Sequence, residues 1–180
     1  VQFNTYTTAG AIVAAELVNQ PSASAAWMSD LLERYKIYRP TLDQAAAEEL
    51  RDWADGLRLA FETTGAEQAA AVDALFVAAD CRPRLVTHDD LPYHLHYAPL
   101  DAKVTTRVKA LTTAGLAQVI ADGAAGRLGC CTREGCDIVF VDTSRNGRRA
   151  FCSVRCANAV NVRRHRARRR YGDPVPASGR

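Results

Sequence analysis

Two short cysteine pairs constrain this chain more than anything else in it. Cys131-x4-Cys136 and Cys152-x3-Cys156 are separated by fifteen residues, and five of the six cysteines fall between positions 130 and 156, with Cys81 apart. A secreted disulfide scaffold would spread its cysteines more widely. Close pairs instead deliver two thiolates from one tight turn, and a loop that brings two such pairs together builds a tetrahedral Zn²⁺ site. The expected ligands are Cys131, Cys136, Cys152 and Cys156. Cys130, adjacent to Cys131, would give an x5 spacing; it is read as a thiol beside the site or behind it, with Cys131 preferred as ligand. Four thiolates leave no open position for water, so the expected zinc is structural.

The residues between and after the pairs agree with this. Ile138-Val-Phe-Val141 is strand-like, Asn146-Gly147 is a hairpin-turn dipeptide, and Arg148 to Phe151 follows it, so a hairpin is expected between these two runs. From Cys152 onward the pattern turns helical, with Ala157, Val160, Ala167 and Tyr171 on one face. A knuckle, a hairpin, and a helix carrying the last ligand in its first turn describe a treble clef. A module of about 45 residues with so few large apolar side chains cannot hold a core unaided, so metal binding is expected to be coupled to its folding.

Charge divides the chain at the same place. Residues 1–126 carry 10 Lys or Arg against 16 Asp or Glu; residues 127–180 carry 13 Arg against 4 acidic residues. This asymmetry points to two functional units and an anionic partner for the second. On the expected helix Arg163, Arg166 and Arg170 share a stripe, with Arg169 beside it, while Arg145, Arg148 and Arg149 lie at the hairpin turn and could reach a second row of phosphates. Guanidinium forks suit phosphate contacts and read guanine edges. No aromatic residue alternates with these arginines, which disfavours a single-strand stacking platform. Duplex DNA is the expected partner. The bland alternative is a helix end kept soluble by its charge.

The first 126 residues read as mainly helical. Alanine supplies much of the 48% hydrophobic content and aromatics only 7%, so the core should be modest. A short helix over Gly10–Gln20 ends at Pro21, and Ser22 or Ser24 caps the next, in which Trp27, Leu31 and Tyr35 recur at helical spacing. Thr41-Leu-Asp-Gln44 fits a capping box for a long helix with Leu50, Trp53, Leu57 and Phe61 on one face and Gly65 as its C-cap. Val72, Leu75, Phe76 and Ala79 mark another helix. Arg84–His88 and Tyr93–Tyr97 read as a hairpin or two short strands. Asp101 caps a last helix carrying Val104, Val108, Leu111, Val119 and Ile120, and the Gly/Ala-rich stretch 123–129 looks like a boundary. The fold class is thus α+β: a mainly α N-terminal domain with a small β-hairpin over 1–125, a treble-clef zinc finger over 126–172, and a flexible tail over 173–180.

The run from Cys131 through Asp142, Asn146, Arg149 and Cys152 to Asn158 resembles the CGNR-type zinc finger. That finger follows an ABATE domain in bacterial stress-induced transcription regulators. Phe3, Leu17 and Asn19 resemble the opening pattern of that family. The resemblance implies a treble-clef DNA-binding module behind a domain that senses a small effector or mediates assembly. Asn158 matches the signature Asn and joins the expected DNA contacts. Two departures stand out: the second cysteine pair is spaced x3 where the family commonly has x4, and Ala159 replaces the signature Arg.

Other candidates are weaker. His94 and His96 share a strand face near His88, Asp89 and Asp90, a pattern that can bind metal or serve catalysis but is more often a polar strand face. Cys81 reads as a core thiol, and Trp27, Trp53 and Phe61 as core before ligand pocket. No Gly-rich phosphate loop or nucleophile elbow is present, no segment approaches the roughly 20 apolar residues of a membrane span, and no signal peptide is visible. The reading is a non-enzymatic cytoplasmic DNA-binding regulator. Its rivals are an RNA- or protein-binding adaptor using the same finger, and an enzyme with a site near His88, His94 and His96.

Overall fold

The computed structural model describes residues 5–37, 40–87 and 92–171, and their side chains except those of 5–7, 170 and 171. Phe3, His88, Asp89, Asp90 and the tail 173–180 lie outside the described residues, as do the side chains of Arg170 and Tyr171. The helices are α1 (Thr5–Val18), α2 (Ala25–Arg34), α3 (Gln44–Glu62), α4 (Gly65–Ala78), α5 (Val104–Val119) and α6 (Val154–Tyr171). The strands are β1 (Arg84–Val86), β2 (His94–His96), β3 (Leu128–Cys130) and β4 (Val139–Val141), joined as two antiparallel pairs, β1 with β2 and β3 with β4. The chain is therefore mainly helical, with two small hairpins and a C-terminal cysteine cluster.

Helix α1 runs through the middle of the body. Ala11, Val13, Ala14, Leu17 and Val18 are buried on several of its faces, and it packs against α5 and α3. The approach to α5 is close enough to require glycine on both sides. A Cβ on Gly10 would sit 2.3 Å from the Leu111 carbonyl oxygen, and one on Gly115 would sit 2.4 Å from the Ala11 nitrogen. Helix α3 buries Leu50, Trp53, Leu57 and Phe61, the stripe that its periodicity predicts. The indole N–H of Trp53 donates to Thr112 Oγ1 at 3.1 Å, so this Trp is a satisfied core residue. Cys81 is half-buried against the same core, and burial pushes its thiol up to about 11.

Several helix ends differ from expectation. Ser24 caps α2 as anticipated, accepting from the Trp27 N–H. The cap of α3 is Asp43 rather than Thr41: its Oδ1 accepts from the Ala46 N–H at 2.8 Å, and a carboxylate also suits the positive helix end. Thr63 closes α3, and Gly65, with φ +58°, opens α4 instead of capping its predecessor. Lys103, not Asp101, precedes α5. After α5 a wide π turn (Ile120–Ala124) and a 3₁₀ turn (Ala125–Arg127) lead directly into β3.

The expected second hairpin is also re-paired. β4 takes β3 as its partner, with Leu128 opposite Val141 and Cys130 opposite Val139; the run Arg148–Phe151 forms no strand. Burial explains the choice. Leu128, Val139 and Val141 join the core formed by the helices, and β3–β4 lies on α1 and α3. The Cys-rich segment thus borrows the apolar surface it lacks.

Candidate metal centre and the arginine helix

The β3–β4 hairpin carries a knuckle at its tip. Cys131 follows β3 and donates its N–H to the Ile138 carbonyl, while the Cys136 N–H closes a turn onto the Arg133 carbonyl. Gly135 takes φ +72° in that turn, a left-handed conformation that favours glycine. The second pair comes from the start of α6. Ser153 caps this helix, its Oγ accepting from the Cys156 N–H at 3.2 Å, so Cys156 sits in the first turn, where the helix dipole favours a thiolate.

The four Sγ atoms of Cys131, Cys136, Cys152 and Cys156 all lie within 4.8 Å of one another. Cys136–Cys152 is 3.8 Å, Cys136–Cys156 is 3.9 Å and Cys152–Cys156 is 3.4 Å. A tetrahedron with metal–sulfur bonds of about 2.3 Å has edges of about 3.8 Å, so the residues fit the ion. The thiols compete for charge: the Ser153 hydroxyl and then Cys152 bring Cys156 down to about 6, whereas burial and then the bond shared with Cys156 push Cys152 up to about 12. A divalent cation at the centre resolves the competition by stabilising all four thiolates. Bound there, Zn²⁺ cross-links the knuckle to the helix start.

Cys130 points the other way, as neighbours on extended chain do. Its thiol donates to the Phe61 carbonyl of α3 at 3.4 Å, and burial, foremost, raises its pKa. It faces the core behind the site, and Cys131 is the ligand.

Sequence reasoning assigned no structural role to four residues that hold the centre in place. Arg133 donates from Nε to Cys156 Sγ at 3.2 Å, setting a cation against the thiolates. Asp142 is buried; its Oδ1 accepts from the Ser144 N–H at 2.9 Å and its Oδ2 from the Arg149 N–H at 2.7 Å. Burial opposes its charge, but the Ser144 hydroxyl and these backbone donors outweigh burial and hold its carboxyl below the usual range. An acidic residue directly after an apolar strand, in a segment otherwise rich in Arg, was the available signal. Asn19 clamps β4 by two bonds of 2.9 Å, donating to the Val139 carbonyl and accepting from its N–H. Arg58 of α3 reaches the Asp137 and Val18 carbonyls. Nothing in the local sequence of Asn19 or Arg58 signals a partner so distant.

The expected DNA contacts fall into distinct environments. Arg145 and Arg148 are exposed on the loop after β4. Arg149 is engaged with the module itself: it donates to the carbonyls of Phe151 and Cys152 and stacks 4.4 Å over the Phe140 ring. Arg163 pairs with Glu134 of the knuckle at 2.7 Å. Asn158, Arg166 and Arg169 are exposed. Ala167 is exposed too, and every described side chain from 161 to 169 faces solvent, so the expected apolar face does not pack on a hairpin. The first turns of α6 are anchored by Cys156, Ala157 and Val160, and Arg163 adds the exposed ion pair to Glu134. Beyond them the helix is too densely charged to be covered.

His94 and His96 do come together. Their Nε2 atoms are 3.0 Å apart, and His94 Nδ1 lies 2.9 Å from the Pro92 carbonyl. That carbonyl can only accept, so a neutral His94 donates from Nδ1 and receives the His96 N–H at Nε2. A shallow groove of about 340 Å³ between the end of α1 and α3 is lined by Val18, Pro21, Arg51, Asp52, Ala54, Asp55 and Arg58. Both arginines there already bond backbone carbonyls. No described helix is long and apolar enough to cross a membrane.

Comparison with curated proteins finds no match to this chain. Residues 127–169, which hold the four clustered cysteines and nearly the whole of α6, match the CGNR zinc finger family, and these four thiols are positioned to bind its structural Zn²⁺.

Proposed function

We propose that this protein is a DNA-binding regulator in which zinc orders a treble-clef finger and α6 engages duplex DNA. The observation that carries the reading is the stretch 161–169: nine consecutive exposed residues, five of them Arg, projecting from the four-cysteine centre. Charge of this density on a helix held at its first turns suits phosphate binding, which releases condensed counterions and supplies most non-specific affinity. Arg145 and Arg148 extend the basic surface onto the adjoining loop. The zinc does no chemistry in this reading, since four thiolates fill its coordination shell, and the protein is not an enzyme. Residues 1–125 supply the platform on which β3–β4 rests; their sensing of a small effector rests on the resemblance to the ABATE domain. The site of action is the cytoplasm, where thiols stay reduced.

Titration of a fluorescent random duplex across a salt series tests this. The expected result is a steep fall in affinity with salt, with the log–log slope shrinking by about one for each phosphate-contacting Arg removed, as in Arg168→Ala and Arg169→Ala. Tighter binding to structured RNA than to duplex DNA at equal salt would replace the regulator with the adaptor. Affinity unchanged in the double variant would remove α6 from the interface.

A further inference from the structure

The anchoring of α6 fixes which of its faces looks away from the protein. Cys156, Val160 and Arg163 lie at i, i+4 and i+7 and so share one side. That side is turned to the body: Cys156 is buried in the metal centre, Val160 is half-buried, and Arg163 pairs with Glu134 of the knuckle. The opposite side is set by Val154, Asn158, Asn161 and His165, at i, i+4, i+7 and i+11, and all four are exposed. Arg164 and Arg168 border this strip along one flank, and Arg155 and Arg169 along the other, all four exposed.

A helix seated in a major groove meets base edges along its outermost strip and a phosphate row on each side. The outward strip here carries the residues suited to base edges: Asn bonds adenine through N6 and N7, and an imidazole N–H donates to purine N7 or O6. The flanks carry cations that would face the two backbones. We infer that Asn158, Asn161 and His165 are the sequence-reading residues of the finger, that Arg155, Arg164, Arg168 and Arg169 grip the flanking phosphates, and that Arg163 holds the helix to the knuckle. This assignment rests on the DNA-binding reading above. It differs from the Arg163, Arg166, Arg170 stripe as the reading face, because one member of that stripe is turned toward the metal centre.

The test is selection of sites from a random duplex library with the full-length, zinc-loaded protein, run beside affinity measurements on one random duplex. Wild type should enrich a short motif containing adenine. Asn161→Ala with His165→Ala should flatten that motif, with roughly ten- to hundredfold lost discrimination at the positions concerned, while random-duplex affinity stays within about twofold. Alanine favours helix at exposed positions, so folding is not at stake; circular dichroism and zinc content confirm it. Arg164→Ala with Arg168→Ala should weaken all duplexes alike, and Arg163→Ala should leave the motif unchanged. A wild-type protein that binds no duplex overturns the DNA reading itself. One that binds and selects, but keeps its motif in the Asn161/His165 variant or loses it in Arg163→Ala, overturns only this assignment.

Discussion

β3–β4 and β1–β2 are both antiparallel pairs of three-residue strands, yet they are held in different ways. All three residues of β4 are buried, Asn19 clamps its start, Cys130 bonds α3, and the metal centre closes its tip. In β1–β2 the cross-strand pair Leu85–Leu95 is 67% and 49% exposed, and on its other face His94 bonds His96. A lone two-stranded hairpin is marginal in water. The difference teaches that strand content does not decide which hairpin is rigid; the surface that covers it and the links at its tip do. The metal and the helical body are joint supports of β3–β4, and each can be removed separately.

Removing the metal should produce the largest effect. Cys136→Ser, or chelation of the wild type, should abolish amide-exchange protection across 131–156 and lower the melting temperature of that module, while β1–β2 and helices α1 to α5 keep their protection. Structural zinc contributes apparent free energies of about 10–16 kcal/mol in isolated fingers, more than this small segment can replace. Protection in 131–156 that survives chelation would mean the helical body alone suffices.

Next comes the loop that joins the two ligand pairs. Asp142→Asn leaves the Ser144 or Arg149 N–H facing an amide and should cost about 2–3 kcal/mol in urea denaturation. The pH dependence has a definite sign. The folded carboxyl titrates below its unfolded value of about 3.9, so its contribution is fully present above that value and is lost as pH falls through the folded pKa. The gap between wild type and variant should therefore close on acidification. Asn19→Ala should cost less, about 1–3 kcal/mol, by leaving the Val139 N–H and carbonyl without their clamp. Its exchange signature should be confined to β4 and the knuckle, with β1–β2 untouched. A uniform loss across both hairpins would erase the distinction between them.

The ligand set was legible because spacing alone restricts which thiols can meet, and the buried stripe of α3 because Leu50, Trp53, Leu57 and Phe61 are large and periodic. The partner of β4 was not. Leu128-Gly129-Cys130 is too short and too poor in β-branched residues to announce a strand; its pairing depends on α1 and α3 lying beneath. Asn146-Gly147 does make a turn, with Gly147 at φ +59° and the Gly147 N–H bonded to the Ser144 carbonyl. The run after it forms no ladder because the Arg149 N–H is given to the Asp142 carboxylate. Thr41 and Asp43 both carried a capping oxygen, and pattern alone could not choose between them. For α6 the apolar positions Val160 and Ala167 suggested a packed face, but arginines at 163, 164, 166, 168 and 169 leave little for a neighbour to cover.

The smallest expected effect is the most informative about the exposed hairpin. Leu85 and Leu95 face each other across β1–β2 and are both exposed among the described residues, so Leu85→Thr with Leu95→Thr removes mainly a cross-strand contact worth roughly 0.2–1 kcal/mol. Threonine keeps the β preference at both positions, which offsets part of that loss. Global stability should therefore shift by no more than about 0.5 kcal/mol, and sedimentation should show the same species for variant and wild type. A loss above about 1 kcal/mol, or a change in oligomeric state, would mean that this face is covered in solution. The hairpin would then be held as β3–β4 is, by a surface pressed against it, supplied in this case by another molecule.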